Sequence, residues 1–273
     1  MALDALVGAG HDIRLVVTRP DKRRGRGGAM APTPVKAAAL RHGIRATSDI
    51  AEVTSAGAEL GVVVAYGRII KPDVLAALAM VNVHFSLLPR WRGAAPVERA
   101  VLAGDATTGV CLMEVEEGLD TGAVYRRRET PIGAAETAEE LTGRLARMGA
   151  ELLVQALDEG LGDPIPQAGQ ATYADKIEPA DLRLDWDRPA SELHRVVRLG
   201  RAWTTWAGRR LLVVRATPVE AGVPSGAAPG TLHGDVAATG RGGLRLEVVQ
   251  PEGKRPMPAT DWLRGARVHA LGS

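Results

Sequence analysis

The chain has 273 residues, 45% of them hydrophobic and 24% charged, and its formal net charge is +2. These values are ordinary for a globular protein, and the length suits one large domain or two smaller ones. No apolar run approaches the roughly 20 residues of a membrane span, and the single cysteine, Cys111, excludes an internal disulfide. The N-terminus lacks the basic region of a secretory signal, so we expect a cytoplasmic protein.

The first part of the chain alternates short apolar runs with stretches of helical spacing. The apolar runs predict strands, and the stretches between them predict helices. The predicted strands lie at 12–18, 60–67, 80–85 and 108–115, and the predicted helices lie at 33–43, 71–79, 95–104 and 137–160. This alternation is typical of a parallel sheet with helices on both faces, and it predicts an α/β domain.

The pattern changes after residue 160. Residues 161–186 contain three prolines and many polar residues, which is typical of a linker, and residues 189–200 predict a helix. Short β-like runs punctuated by glycine and proline follow, and they favour a small barrel. We therefore expect an α/β domain over 1–162, a linker over 163–181 and a barrel-like domain over 182–273.

Two polar side chains mark the end of the predicted strand at 80–85. Asn82 and His84 are two residues apart, so on a strand they project from the same face. In open α/β sheets, ligands bind beyond the carboxyl ends of the strands. Taken alone, the pair is also compatible with polar residues that merely satisfy the backbone at a strand end.

Asp120 lies in a Gly-Leu-Asp-Thr-Gly turn after the predicted strand at 108–115. Aspartate and glycine are favoured turn residues, so this turn alone is compatible with a structural role. Together with Asn82 and His84, however, Asp120 has a possible catalytic role. A carboxylate facing an imidazole supports the imidazolium that forms when histidine takes a proton, and an amide can donate to a developing oxyanion. The three residues predict direct transfer of an acyl group to an amine.

Short motifs surround these three residues. They are N-V-H (82–84), S-L-L-P (86–89), R-W-R-G-A-A-P (90–96), G-D (104–105), T-G-V (108–110) and G-L-D-T-G (118–122). Together they resemble the folate-dependent formyltransferases. The motif at 90–96 and a distal block, from T-Y-A-D-K-I at 172–177 to W-T-T-W at 203–206, are most similar to members that act on initiator methionyl-tRNA. The resemblance runs from about residue 2 to residue 262.

The resemblance implies a Rossmann-like catalytic domain with a mostly parallel sheet and a smaller OB-like C-terminal barrel that binds tRNA. It implies 10-formyltetrahydrofolate as the formyl donor, with no metal. Asn82 would polarise the formyl oxygen, His84 would manage the proton of the attacking α-amine, and Asp120 would orient His84. The implied folate-binding loop consists of Ser86, Leu87, Leu88 and Pro89.

The segment at 18–36 is basic and rich in glycine. Alone, such a segment is usually a solvated surface loop. The resemblance makes it an insertion that enters the acceptor stem of the tRNA, where phosphate contacts favour arginine and lysine. The implied tRNA-binding residues are Arg26, which carries most weight, with Lys22, Arg23 and Arg24, and Lys176 as a weaker candidate. The protein would act in translation initiation, and we expect a monomer. Trp203 and Trp206 are predicted to be core residues of the second domain rather than base-stacking ones.

The chain departs from the family in two places. Phe85 stands where members usually have a small residue, although strand alternation points it away from His84. Members also open with a strand before the first helix, whereas this chain starts at that helix. We therefore expect the first strand to be lacking, which leaves the strands at 12–18 and 60–67 each with an unpaired edge. Two alternatives stay open: a sugar-nucleotide formyltransferase, and a tRNA-binding protein whose catalysis is disabled by the missing strand.

Overall fold

The computed structural model describes residues 1–24, 29–266 and 269–272. The chain divides into two units, each built from several segments. The first consists of Met1–Pro96, Thr107–Pro131 and Thr142–Ala174, and the second of Val97–Ala106, Ile132–Leu141 and Asp175–Ser273. The domain boundaries given by the sequence stay a prediction. Among the described residues, no helix is both long and apolar enough to cross a membrane.

Residues 1–174 contain five α-helices and ten strands among the residues that the structure describes. The helices are α1 (Ala2–Gly8), α2 (Pro34–Arg41), α3 (Pro72–Ala77), α4 (Pro96–Ala103) and α5 (Ala138–Glu159), with a 3₁₀ helix at Ile50–Ser55. The strands are β1 (Val16–Val17), β2 (Lys22–Arg24), β3 (Ala29–Ala31), β4 (Ala46–Thr47), β5 (Gly61–Val63), β6 (Met80–His84), β7 (Arg92–Gly93), β8 (Thr107–Glu114), β9 (Val124–Pro131) and β10 (Tyr173–Ala174).

The central sheet of the first unit has the strand order β5-β6-β8-β9. Strand β5 pairs with β6 in parallel, whereas β8 runs antiparallel to both β6 and β9. The α/β class is confirmed, and the structure adds the antiparallel direction of β8. Strand β9 was not predicted, because its sequence VYRRRETP carries charged residues and lacks an apolar run.

A separate two-stranded parallel sheet is formed by β1 and β4. The strands predicted at 12–18 and 60–67 are therefore found in different sheets, and both are shorter than predicted. A small cluster under β1 contains the buried side chains Leu3 and Val16, so α1 packs on this pair through its apolar face.

Strand β6 has two chemically different faces. Val81 and Val83 are buried, and Val83 faces helix α5. A methyl group placed on Gly149 of that helix would lie 2.7 Å from Cγ1 of Val83 and 3.6 Å from Cε1 of Phe85. Phe85 thus projects on the helix side, and the alternation of the strand sends Asn82 and His84 to the other side.

The second unit is built on an antiparallel sheet with the order β11-β12-β15-β14-β13, to which β16 adds beside β15. Its elements are a 3₁₀ helix at Pro179–Leu182, α6 (Ala190–Val197), β11 (Trp203–Trp206), β12 (Arg209–Val219), β13 (Leu232–His233), β14 (Val236–Ala238), β15 (Gly243–Pro251), β16 (Met257–Pro258) and α7 (Ala259–Ala266). The predicted change to a β-rich C-terminal part is confirmed, and closure of this sheet into a barrel stays a prediction.

Helices α6 and α7 contribute to the core of the second unit. The core contains Leu193 of α6 and Trp262 of α7. Trp206 packs edge-on against Trp262, with ring centroids 5.4 Å apart, so its prediction as a core residue is confirmed. Both tryptophans are half-buried, and the guanidinium of Arg210 lies 4.7 Å from the centre of the Trp203 ring.

Arg99 of α4 binds a turn at the start of the second unit. The Arg99 guanidinium donates to the carbonyls of Asp175 and Lys176 and to Oδ2 of Asp181, all at 2.9–3.0 Å. The Glu178 N–H also donates to Asp181. These contacts, first the Glu178 N–H and then Arg99, lower the pKa of Asp181 below its ordinary value of 3.8.

We expect Asp181→Asn to lower the free energy of unfolding at pH 7 and to have a smaller effect at pH 3. A carboxylate whose pKa is lowered by folding stabilises the protein above its ordinary pKa and loses that contribution as the pH falls through the lowered value. Urea unfolding at the two pH values measures both differences, and Asp187→Asn, at an exposed side chain, is the control. Equal losses for Asp181→Asn at both pH values would contradict this origin.

Candidate active site

Asn82 and His84 project from the C-terminal half of β6, in the middle of the central sheet. Asn82 lies between Val63 of β5 and Met113 of β8, and His84 lies opposite Cys111 of β8. Strands on both sides hold the backbone of β6, so the spacing of the two side chains is fixed by the pleat. The His84 side chain is 5% exposed.

Asp120 lies in the turn between β8 and β9, and the structure brings it to the two β6 side chains. Its Oδ2 atom lies 3.6 Å from Nδ1 of His84, and its Oδ1 atom lies 3.5 Å from Nδ2 of Asn82. The residue has a φ of 51°, a left-handed conformation that aspartate tolerates better than most residues. The three residues named by the sequence therefore form one cluster, with the carboxylate facing both the imidazole and the amide.

A backbone carbonyl determines which nitrogen of the neutral His84 ring carries the proton. Nε2 of His84 lies 2.9 Å from the carbonyl oxygen of Trp91. Because that oxygen can only accept, Nε2 carries the proton in the neutral ring, and Nδ1 keeps its lone pair on the side of Asp120. Trp91 has a φ of 63°, which is unusual for a bulky residue and is typical of strained positions at functional sites.

The carboxylate of Asp120 is itself held by the backbone. The N–H of Gly93 donates to Oδ2 at 2.8 Å. Gly93 has a φ of 119°, and a methyl group there would lie 3.0 Å from the carbonyl oxygen of Ala174. The sequence did not predict this contact, because a backbone donor has no residue signature, although the glycine in R-W-R-G was visible.

A second contact that the sequence missed comes from Gln167. Its side-chain nitrogen donates to the carbonyls of Asp120 and Gly122, and its side-chain oxygen accepts from Arg92. Gln167 belongs to the segment interpreted as a linker, and nothing in its surrounding sequence singled it out.

The predicted folate loop, Ser86 to Pro89, is partly buried. The Ser86 hydroxyl is inaccessible and donates to the carbonyl of Arg90 at 2.6 Å. Leu88 belongs to a buried cluster with Cys111 and Met113. Leu87 and Pro89 are half-buried, and the peptide bond between Leu88 and Pro89 is cis. Contacts with a ligand are therefore open to Leu87, Pro89 and the backbone rather than to the other two side chains.

Cys111, the cross-strand neighbour of His84, is fully buried. Burial raises the pKa of its thiol above the ordinary value, chiefly through desolvation. The group is a neutral, packed side chain at physiological pH, and buried thiols of this kind are unreactive. The cluster therefore fits a direct transfer rather than a covalent thioester route.

The predicted basic residues lie in two places. Lys22 and Arg23 are exposed on β2, which forms a hairpin with β3. An ion pair between Lys36 and Asp21, at 2.8 Å, supports the base of this hairpin. Arg24 belongs to the same strand, and Arg26 lies outside the described residues. Lys176 is exposed in the second unit.

Comparisons with known proteins assign the family. The family model described as formyl transferase matches residues 2–157, and the model of the formyl transferase C-terminal domain matches residues 176–267. The chain therefore belongs to the formyl transferase family. It is 44% identical over 292 aligned positions to a protein of Symbiobacterium thermophilum named methionyl-tRNA formyltransferase, with 98% of this chain and 89% of that protein covered.

Solved structures share the fold at low identity. An N-formyltransferase from Helicobacter canadensis, in complex with folinic acid and dTDP-3-aminofucose, matches with a TM-score of 0.67 and 15% identity, covering 92% of this chain and 94% of that one. HypX from Aquifex aeolicus, in complex with tetrahydrofolic acid, matches with a TM-score of 0.61 and 19% identity. That match covers 82% of this chain but only 43% of the longer HypX chain. At these identities the likeness concerns the fold alone.

We expect Gly93→Ala to lower the free energy of unfolding by more than Gly160→Ala. Both glycines have a positive φ, so each substitution carries backbone strain of about 1–2 kcal/mol. A methyl group at Gly160 has no neighbour within 4 Å among the described residues, whereas one at Gly93 meets Ala174 and displaces the donor to Asp120. Urea unfolding of both variants provides the comparison, and equal losses would contradict the tight approach at Gly93.

Proposed function

We propose that this chain transfers the formyl group of 10-formyltetrahydrofolate to the α-amine of methionine on initiator tRNA. The observation that carries the proposal is the convergence of Asn82, His84 and Asp120 at the end of β6, with separations of 3.5 and 3.6 Å. The relatives at 41–44% identity, which are named methionyl-tRNA formyltransferase, support it. Such a reaction takes place where tRNA is used, in the cytoplasm, and it needs only one copy of the site.

In the proposed reaction Asn82 acts on the formyl oxygen. Attack of the amine on the formyl carbon places negative charge on this oxygen, and the Asn82 amide is a suitable donor for it. The amide now donates weakly to Asp120, at 3.5 Å, so it can turn to a better acceptor without losing a strong bond. A single donor of this kind contributes about 10²- to 10³-fold in rate.

His84 carries the proton from the incoming amine to the leaving nitrogen. Nδ1 accepts the proton as the new C–N bond forms, while Nε2–H stays on the Trp91 carbonyl. The resulting imidazolium lies beside the Asp120 carboxylate, which stabilises the charge. When the bond to the folate N10 breaks, the same proton passes to N10, and His84 returns to its neutral form.

The formyl donor is a substrate, and the residues around the site fit it. The half-buried Leu87 and Pro89 offer apolar surface next to the His84 strand, and the backbone of their loop supplies polar groups. The tRNA would be held by Lys22, Arg23, Arg24, Arg26 and Lys176, which provide positive charge for phosphate contacts.

A transfer assay with two acceptors tests the function. The wild-type protein is mixed with 10-formyltetrahydrofolate and either charged initiator tRNA or a nucleotide-linked amino sugar. The proposal expects N-formylmethionine on the tRNA and no formylation of the sugar. Formylation of the sugar alone would contradict it.

We expect His84→Ala and Asp120→Ala each to lower the rate of formyl transfer by about 10²- to 10⁴-fold, because a positioned acid–base group contributes that much. Single-turnover formylation measures the rate, and circular dichroism checks folding. The control is His42→Ala, which removes another histidine paired with an aspartate, at 3.0 Å from Asp4. Near-wild-type turnover of either site variant would overturn the assigned roles.

We expect Arg26→Ala to raise the KM for charged initiator tRNA while leaving the KM for the folate nearly unchanged. Loss of one phosphate contact weakens RNA binding and reduces its salt dependence. Arg14→Ala, at a side chain that is 57% exposed, is the matched control. An equal effect of Arg26→Ala on both substrates would argue against a tRNA contact.

A further inference from the structure

Gln167 makes four hydrogen bonds with one side-chain amide. Nε2 donates to the carbonyls of Asp120 and Gly122, each at 2.8 Å. Oε1 accepts from Nε and Nη2 of Arg92, at 3.1 and 2.7 Å. Both hydrogens of the amide nitrogen are therefore used, and the oxygen receives a bidentate pair from the guanidinium.

These bonds connect the two backbone segments that form the carboxylate site. One segment carries Asp120, and the other carries Gly93, whose N–H donates to Oδ2 of Asp120 at 2.8 Å. Arg92 directly precedes Gly93 in the chain. Gln167 thus closes a ring of contacts around Asp120, because it binds the main chain of that residue on one side and the neighbour of its carboxylate donor on the other.

The segment that carries Gln167 is itself fixed to the site. Ile165 exchanges two backbone hydrogen bonds with Val124, at 2.8 and 2.9 Å. Thr172 accepts from the backbone N–H of Trp91 through its hydroxyl and from that of Arg92 through its carbonyl, each at 2.9 Å. Gln167 lies between these two anchors, so its amide is held rather than free to rotate to solvent.

The turn that the Gln167 amide binds has an unusual backbone conformation. Asp120 has a φ of 51°, and Gly122 approaches Glu114 so closely that a methyl group would lie 2.2 Å from the Glu114 carbonyl oxygen. A left-handed residue in a tight turn keeps its conformation only when the surroundings determine it. The two carbonyls bound by Gln167 belong to Asp120 and Gly122, the flanks of this turn.

We propose that Gln167 is a positioning residue for the Asp120 carboxylate, a proposal that rests on the function proposed above. Only an amide serves here, because the position needs two donors towards carbonyls and an acceptor towards a guanidinium. A carboxylate keeps the bonds from Arg92 but repels the two carbonyls. An apolar side chain of the same length loses both sets of contacts.

The proposal predicts that Gln167→Glu lowers kcat by about 10- to 100-fold, a loss typical of residues that orient a reacting group. The KM values for both substrates should change less than about threefold, because Gln167 acts on the turn and not on the substrates. Gln167→Met, which is neutral and of similar length, is expected to lose kcat in the same way. It replaces Gln167→Glu if urea unfolding finds the charged variant unstable.

The control is Gln155→Glu on helix α5. Gln155 is exposed and donates to Glu159, so its substitution should leave kcat within about twofold. A loss of kcat at Gln155 equal to that at Gln167 would assign the effect to the glutamine-to-glutamate change in general and would overturn the proposal.

A double-mutant cycle decides whether Gln167 acts through Asp120. In the Asp120→Ala background, Gln167→Glu should cost less than about twofold, because the group that it positions is gone. Independent, multiplicative losses would overturn the proposal. A wild-type protein that formylates no tRNA, or an Asp120→Ala variant with full activity, would instead refute the proposed function, so the two failures are distinguishable.

Discussion

The structure of the candidate site depends on where the Asp120 carboxylate is held. One of its oxygens receives the Gly93 N–H at 2.8 Å and faces His84 at 3.6 Å, while the other faces the Asn82 amide. A carboxylate in this place stabilises the positive charge that the imidazole acquires when it takes a proton. The left-handed turn, the close approach of Gly93 to Ala174 and the Gln167 contacts all serve to keep it there.

The opposite side of β6 supplies the rigidity. Val83 and Phe85 project towards helix α5, whereas Cys111, the cross-strand neighbour of His84, lies on the same face as His84 and fills the space beside it with a neutral thiol. Because β6 lies between β5 and β8, its backbone is hydrogen-bonded along both edges. The Trp91 carbonyl accepts from Nε2 of His84 and so selects the tautomer of the neutral ring.

The sequence predicted those parts of the site that depend on the type of side chain and on the two-residue alternation of a strand. Alternation on a strand placed Asn82 and His84 together, and the glycine-flanked turn indicated Asp120. The Trp91 carbonyl and the Gly93 N–H could not be predicted, because each residue carries such groups and only the fold aims them. Gln167 could not be predicted because its partners lie far away in the chain. Likewise, β9 escaped notice because an edge strand with arginines lacks an apolar run.

The folded units agree with the sequence where hydrophobic patterning is strong. Helix α5 and the β-rich second unit were expected, whereas the β2–β3 hairpin at the basic segment was expected only as a loop. Its strands are only three residues long, and β2 consists of charged residues, so the hydrophobic pattern of the sequence did not indicate them.

The most direct test of the account is a crystal structure with a stable analogue of 10-formyltetrahydrofolate. The account predicts that the formyl oxygen lies within about 3 Å of Nδ2 of Asn82, with the formyl carbon next to Nδ1 of His84. Binding of the analogue with its formyl group away from the end of β6 would contradict the assignment of this cluster as the site of formyl transfer.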